Sequence, residues 1–126
     1  MYRFASLASA GLLVALALAF GNASAQDAVI KKTGGVMTNA AGMTVYTFDK
    51  DSGGKSACNG GCATTWPPLA APATAKPVGD LTVLTREDGT RQWAYKGKPL
   101  YLWSKDQKPG DKTGDNLNNA WHVVAE

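Results

Sequence analysis

A segment of this chain recurs without a gap 55 residues later, and that repeat constrains the fold more than any other feature. Tyr46-Thr47-Phe48-Asp49-Lys50-Asp51 returns as Tyr101-Leu102-Trp103-Ser104-Lys105-Asp106. Gly34, Gly42 and Trp66 return as Gly89, Gly97 and Trp121 at the same offset. Two copies of one supersecondary unit in a short chain imply that neither buries its apolar face alone and that each is covered by the other.

Residues 1–25 read as an export signal. Arg3 supplies the positive end, Leu12 to Phe20 an unbroken apolar run, and Ala23-Ser24-Ala25 a cleavage pattern. The apolar run is too short to span a bilayer as an ordinary helix. No Cys follows it, so the expected mature end is an unlipidated Gln26 with no membrane insertion after cleavage. Removing 25 of 126 residues leaves 101, one small domain with a thin core. Removing Arg3 leaves 12 Lys and Arg against 10 Asp and Glu, mixed along the chain. That balance gives no basic run for nucleic acid.

Within 26–126 the expected layout is a first repeat over about 33–69, a linker over 70–80 and a second repeat over about 81–126. Residues 26–32 read as a polar lead-in. Val36 to Thr38 and Met43 to Phe48 flank a turn at Asn39 to Gly42, which predicts a hairpin. Asp49 to Gly61 is rich in Gly, Ser and Asp and reads as a loop. Pro67-Pro68 places the end of the unit at an edge. Ala70 to Pro77 reads as a spacer with little apolar payload. Leu81 to Thr85, Arg91 to Tyr95 and Pro99 to Trp103 read as strands, Asp106 to Asn119 as a polar loop, and Trp121 to Val124 as a closing strand. No stretch after residue 25 has helical apolar spacing over three turns. The fold class is therefore all-β or nearly so: one small domain of two tandem β-hairpin repeats with pseudo-twofold symmetry and long loops.

Tyr46-x-Phe48-x-x-Asp51 and Tyr101-x-Trp103-x-x-Asp106, with Cys58 to Leu69 between them, closely resemble the bacterial secreted-repeat family described as predicted lipoproteins with a Yx(FWY)xxD motif. The resemblance covers nearly the whole mature chain. It implies a secreted or envelope-attached protein and carries no established activity. The missing lipidation Cys points away from membrane anchoring and toward a periplasmic or secreted protein.

Tyr46 and Phe48 share one side of a strand, as do Tyr101 and Trp103. With Trp66 and Trp121 they are expected to form two matching aromatic clusters serving as core, with an aromatic ligand face as the sharper alternative. Asp51 and Asp106 are expected to accept backbone N–H groups and fix the turns. A metal reading of the carboxylates would use Asp49, Asp51, Asp106 and Asp111, with Asp115 nearby, although neither loop has the full calcium pattern. Cys58 and Cys62 are expected to form a disulfide in an oxidising compartment, with Asn59-Gly60-Gly61 permitting the tight loop. A C-x-x-x-C spacing excludes the C-x-x-C oxidoreductase motif, and Ala63 excludes the haem-attachment motif. Copper or zinc held by the cysteines with His122, joined by Met37 or Met43 for copper(I), requires distant residues to converge. His122 is the single histidine, and no hydrolase or phosphate-loop motif is present.

The expectation is a non-enzymatic, cofactor-free, monomeric binding or accessory module of the cell envelope. Its partner is an envelope protein or a small ligand, taken on a surface built from loops 49–61 and 104–120. A metal-binding or redox-accessory protein is the alternative.

Overall fold

The structure is a computed structural model that describes residues 25–125. The export signal expected over residues 1–25 therefore lies outside the described residues, apart from Ala25. Among the described residues no helix is long and apolar enough to cross a membrane.

The regular elements are mostly strands, in small antiparallel sheets. The strands are β1 (Ile30–Thr33), β2 (Val36–Asn39), β3 (Tyr46–Phe48), β4 (Leu81–Thr85), β5 (Arg91–Tyr95), β6 (Lys98–Pro99) and β7 (Trp121–Val123). Among the described residues, Ala25 to Asp27 are also helical, and a short helix, α1 (Gly61–Thr65), and a 3-10 turn at Leu117–Asn119 accompany the strands. β1 pairs with β2, β3 with β7, and β4-β5-β6 form a three-stranded sheet. The two-residue turns Gly34-Gly35 (φ 60° and 90°) and Lys96-Gly97 (φ 51° and 84°) need positive φ throughout, which glycine supplies without steric cost at every position but Lys96.

The sequence expectations for β4 and β5 match the observed spans, and the closing strand is Trp121–Val123. Four expectations are corrected, the first being Pro99 to Trp103, expected as a strand, which contributes only Pro99 to β6 and isolated bridges at Tyr101. Residues 26–32 are not merely a polar lead-in: Ile30 to Thr33 form β1, and Ile30 is buried. Its neighbours Lys31 and Lys32 face solvent, so the segment reads as polar although one side chain enters the core. Residues 70–77 are not an idle spacer, because Ala71 N–H donates to Arg91 O (3.0 Å) and Ala71 and Ala75 pack against the aliphatic core. The segment expected as one strand over Met43 to Phe48 is regular only from Tyr46, with Thr44 bridging Thr38.

The repeats meet at a two-sided backbone contact. Tyr46 N–H donates to Tyr101 O (2.8 Å) and Tyr101 N–H returns the bond to Tyr46 O (2.9 Å). On one flank, Tyr46 and Phe48 pair with Val123 and Trp121. On the other, Tyr101 bridges Pro68 and Leu102 N–H donates to Pro67 O (2.7 Å). The Trp66-Pro67-Pro68 segment therefore occupies the place that β7 holds in the other half. Prolines are tolerated there because the segment lies at an edge and is needed for its carbonyls.

Strand alternation sorts the side chains into two cores. Val45 and Leu100 join Ile30, Met37, Leu69, Leu81 and Trp93 in an aliphatic cluster. Tyr46 and Tyr101, one residue on, turn the other way into an aromatic cluster with Cys58, Trp66, Trp103 and Trp121.

Candidate functional site

The motif aromatics form one stack that alternates between the repeats, correcting the expectation of two separate clusters. Trp103 stacks on Trp66 (centroids 4.0 Å apart), Trp66 on Trp121 (3.8 Å, planes within 1°), and Trp121 on Phe48 (4.1 Å). The third residue of each motif, Phe48 or Trp103, thus covers the terminal Trp of the opposite copy. Tyr46 and Tyr101 meet the edges of Trp66 and Trp121 at 80° and 89°, the arrangement in which ring edges face the negative ring faces. Gly114 permits the close approach: a Cβ there would lie 2.6 Å from Trp66 and 3.0 Å from Trp103.

The motif tyrosines and aspartates also cross. Tyr46 O–H donates to Asp106 Oδ2 (2.7 Å), and Tyr101 O–H donates to Asp51 Oδ2 (2.7 Å). The remaining carboxylate oxygens hold their own loops. Asp51 Oδ1 accepts Ala57 N–H (2.6 Å), while Asp106 Oδ1 accepts both Thr113 N–H (3.0 Å) and Thr113 O–H (2.6 Å). The expected turn-fixing role is present, and a second role between repeats accompanies it. Burial, reinforced by the Asp51 carboxylate, pushes the Tyr101 phenol up to about 12. Burial and the Asp106 carboxylate push Tyr46 up as well. Burial also raises Asp51, against the lowering effect of Ala57 N–H, the Tyr101 phenol and Arg86.

Cys58 and Cys62 form a disulfide across the start of α1. The loop it closes is gripped by Arg86, a buried side chain that sequence reasoning missed. One guanidinium nitrogen donates to Ser56 Oγ (2.9 Å) and Gln92 Oε1 (2.8 Å), and the other to Cys58 O (2.5 Å) and Asn59 Oδ1 (3.2 Å). Ser56 Oγ also lies 2.6 Å from the Tyr101 hydroxyl, which ties this cluster to the motif. The one available signal was a break in the repeat, since Lys31 stands at the place equivalent to Arg86 and Met37 at that of Gln92.

The metal candidates do not converge. Asp51 and Asp106 are committed to the crossed bonds, and Asp111 accepts Gln107 and Lys108 N–H groups while pairing with the Lys108 ammonium (3.0 Å). Those bonds hold the Asp111 carboxyl below its usual range. Asp115 accepts Val123 N–H (3.1 Å). Asp49 Oδ2 lies 2.8 Å from His122 Nε2, whose Nδ1 faces Asn116 Oδ1 at 3.1 Å. The His122 ring thus faces Asn116 and Asp49, while Cys58 is bonded to Cys62. Met37 is buried in the aliphatic core. Among the described residues, no group of three or more His, Cys, Asp or Glu side chains is placed to hold a metal ion.

Three clefts open around the aromatic core. Two are related by the repeat. One, of about 220 Å³, lies beside Phe48 and Asp51 under the Gly97-Lys98-Pro99 turn. The other, of about 200 Å³, lies beside Trp103 and Asp106 next to Met43 and Thr44. The third, of about 460 Å³, is bordered by Phe48, Lys50, Cys62, Trp66, Asn118 and Trp121, with Gly61, Thr65 and Ala120 completing its walls. It lies between the two long loops that the sequence singled out.

No curated protein and no solved structure matches the chain. The sequence model of one family, described as a secreted repeat of unknown function, matches it twice, over residues 27–70 and 82–125. The two matches are offset by the same interval as the motif, and they bracket the crossed tyrosine–aspartate pairs and the alternating stack. The chain belongs to this family of secreted repeats.

Proposed function

We propose that this secreted repeat protein is a non-enzymatic binding or accessory module of the bacterial envelope, working as a monomer in the periplasm or outside the cell. The observation that supports this best is the contrast between the motif residues and the cleft bordered by Phe48, Trp66 and Trp121. Tyr46, Tyr101, Asp51 and Asp106 spend their polar atoms on one another and on loop backbone. The cleft of about 460 Å³ then falls on the seam between the copies, within the usual size range of small-molecule sites. A catalytic role would need a base presented to that cleft, and its one ionisable rim group is Lys50.

The test is an amide chemical-shift map of the protein against a library of small soluble fragments. The expected result is a set of saturable shifts grouped on Lys50, Gly61, Thr65, Asn118 and Ala120. Failure of every fragment to perturb that group, or turnover of chromogenic ester, phosphate or glycoside substrates, would sink the reading.

A further inference from the structure

We infer that the cleft on the seam takes a flat aromatic anion, an aryl carboxylate of one or two fused rings. The inference rests on the binding-module reading and names the ligand class of the same site. Three observations point to this chemistry.

The first is the broken symmetry of the ring stack. At one end the indole of Trp103 covers Trp66 and is buried, with Gly114 packed closely against both. At the equivalent place in the other copy stands the smaller ring of Phe48, half-buried over Trp121. A phenyl ring covers less of an indole than a second indole does. The cleft is bordered by Phe48, Trp121 and Trp66; both indoles are buried between other rings, so the half-buried Phe48 is the ring of the stack with surface to offer it. A planar ligand set against Phe48 adds a ring at that less covered end of the stack, at the 3.8 to 4.1 Å separations that its rings already use.

The second is access. A side chain built at Gly61 would meet nothing within 4 Å, so the wall formed by the start of α1 leaves the approach open. The volume of about 460 Å³ suits a bicyclic molecule.

The third is charge. Lys50 is the single charged residue among those that border the cleft, and no carboxylate joins it. The polar residue Asn118 also borders the cleft. An apolar floor with one cation at its rim selects a ligand whose flat face is apolar and whose edge carries one negative charge.

The experiment titrates the protein with 2-naphthoate, its neutral analogue 2-naphthamide, the cation 2-naphthylmethylamine and the non-aromatic cyclohexanecarboxylate. It follows the amide signals of Gly61, Thr65 and Asn118 and the indole N–H signals of Trp66 and Trp121. The inference expects saturable binding of 2-naphthoate, weaker binding of the amide, and none of the cation or the alicyclic acid. Lys50→Gln is expected to weaken 2-naphthoate about fivefold or more and to leave 2-naphthamide unchanged, while Lys105→Gln, at the equivalent place in the second repeat, changes neither. Equal binding of acid and amide, or an unaltered affinity in Lys50→Gln, overturns the anion assignment. Cyclohexanecarboxylate binding as tightly as 2-naphthoate overturns the aromatic one. In each of those cases the binding-module reading survives. No binding by any of the four overturns the inference, and the fragment map then decides the fate of the wider reading separately.

Discussion

The two repeats share a backbone plan and differ in how each is finished. In the second repeat, Thr113 and Leu117 stand where the first has Cys58 and Cys62. Its loop is held by Thr113 donating twice to Asp106, with a 3-10 turn at Leu117–Asn119. In the first, the corresponding loop carries the disulfide and α1, and it borrows Arg86 from the second repeat as a clamp. The hairpins differ as well. Thr33 and Val36 close a two-residue turn, whereas Thr85 and Arg91 are separated by five residues that bring Arg86 over the disulfide loop. What the copies share builds the seam between them, and what they do not share sits around one loop and one cleft.

Four experiments can break or sharpen this contrast. The largest effect is expected at the shared residues. Trp66→Ala and Trp121→Ala should each cost about 3–5 kcal/mol, since both indoles are buried between two rings. Because they touch each other, a chemical-denaturation double-mutant cycle should show coupling above about 0.5 kcal/mol. Additive losses would argue for two independent clusters. Next comes the unshared clamp. Arg86→Met should cost about 3 kcal/mol, because it leaves the buried Gln92 and the Cys58 carbonyl without their charged donor. Lys31→Met at the equivalent exposed place should stay within about 0.5 kcal/mol. Similar losses at both sites would contradict the asymmetry.

Removal of the disulfide by Cys58→Ser together with Cys62→Ser ranks third. A loop this short contributes about 2 kcal/mol through the unfolded chain. The melting temperature of the double variant checks it, and an unchanged value would remove the staple from the account. The smallest effect is at the crossed phenols. Tyr46→Phe and Tyr101→Phe should each cost about 1.5 kcal/mol, with Tyr46→Phe the larger because Asp106 is the more buried acceptor. The folded-state value of Tyr101 is raised from 10 to about 12, so its contribution is complete below pH 10 and is lost as pH rises through about 12. Absorbance titration of the phenolates alongside unfolding should place that loss in the window from 10 to 12, and Tyr101→Phe should remove its share.

Much of this fold was legible before any coordinates. The motif offset located both copies, the Gly-rich turns and β-branched runs located β4 and β5, and export with a five-residue cysteine loop indicated the disulfide. The crossing was not legible. An equal offset says which residues are equivalent but not which copy each one touches, so Tyr46 with Asp51 and Tyr46 with Asp106 look alike in sequence. β1 escaped notice because its single buried residue, Ile30, precedes two lysines. The alanines of the 70–77 segment looked inert because small side chains pack without a visible apolar pattern. Arg86 looked like one more surface charge, since an Arg is rarely buried without a partner and its partners are carbonyl, amide and hydroxyl oxygens from residues up to 30 positions away. The seam cleft depends on the same crossing, because it needs Trp66 and Trp121 in contact.

The exchange of partners between the copies also governs how the chain acquires its shape. Tyr46 reaches across 60 residues to Asp106, and Tyr101 reaches back across 50 to Asp51. Loop closure of that length must come before the contacts that reward it, which slows folding and couples the two halves. Taken alone, the first half lacks the acceptor of the Tyr46 hydroxyl, the phenol that bonds Asp51 Oδ2 and the rings that cover both faces of Trp66. Its β1–β2 hairpin and its disulfide are local, but the seam closes only when both halves are present.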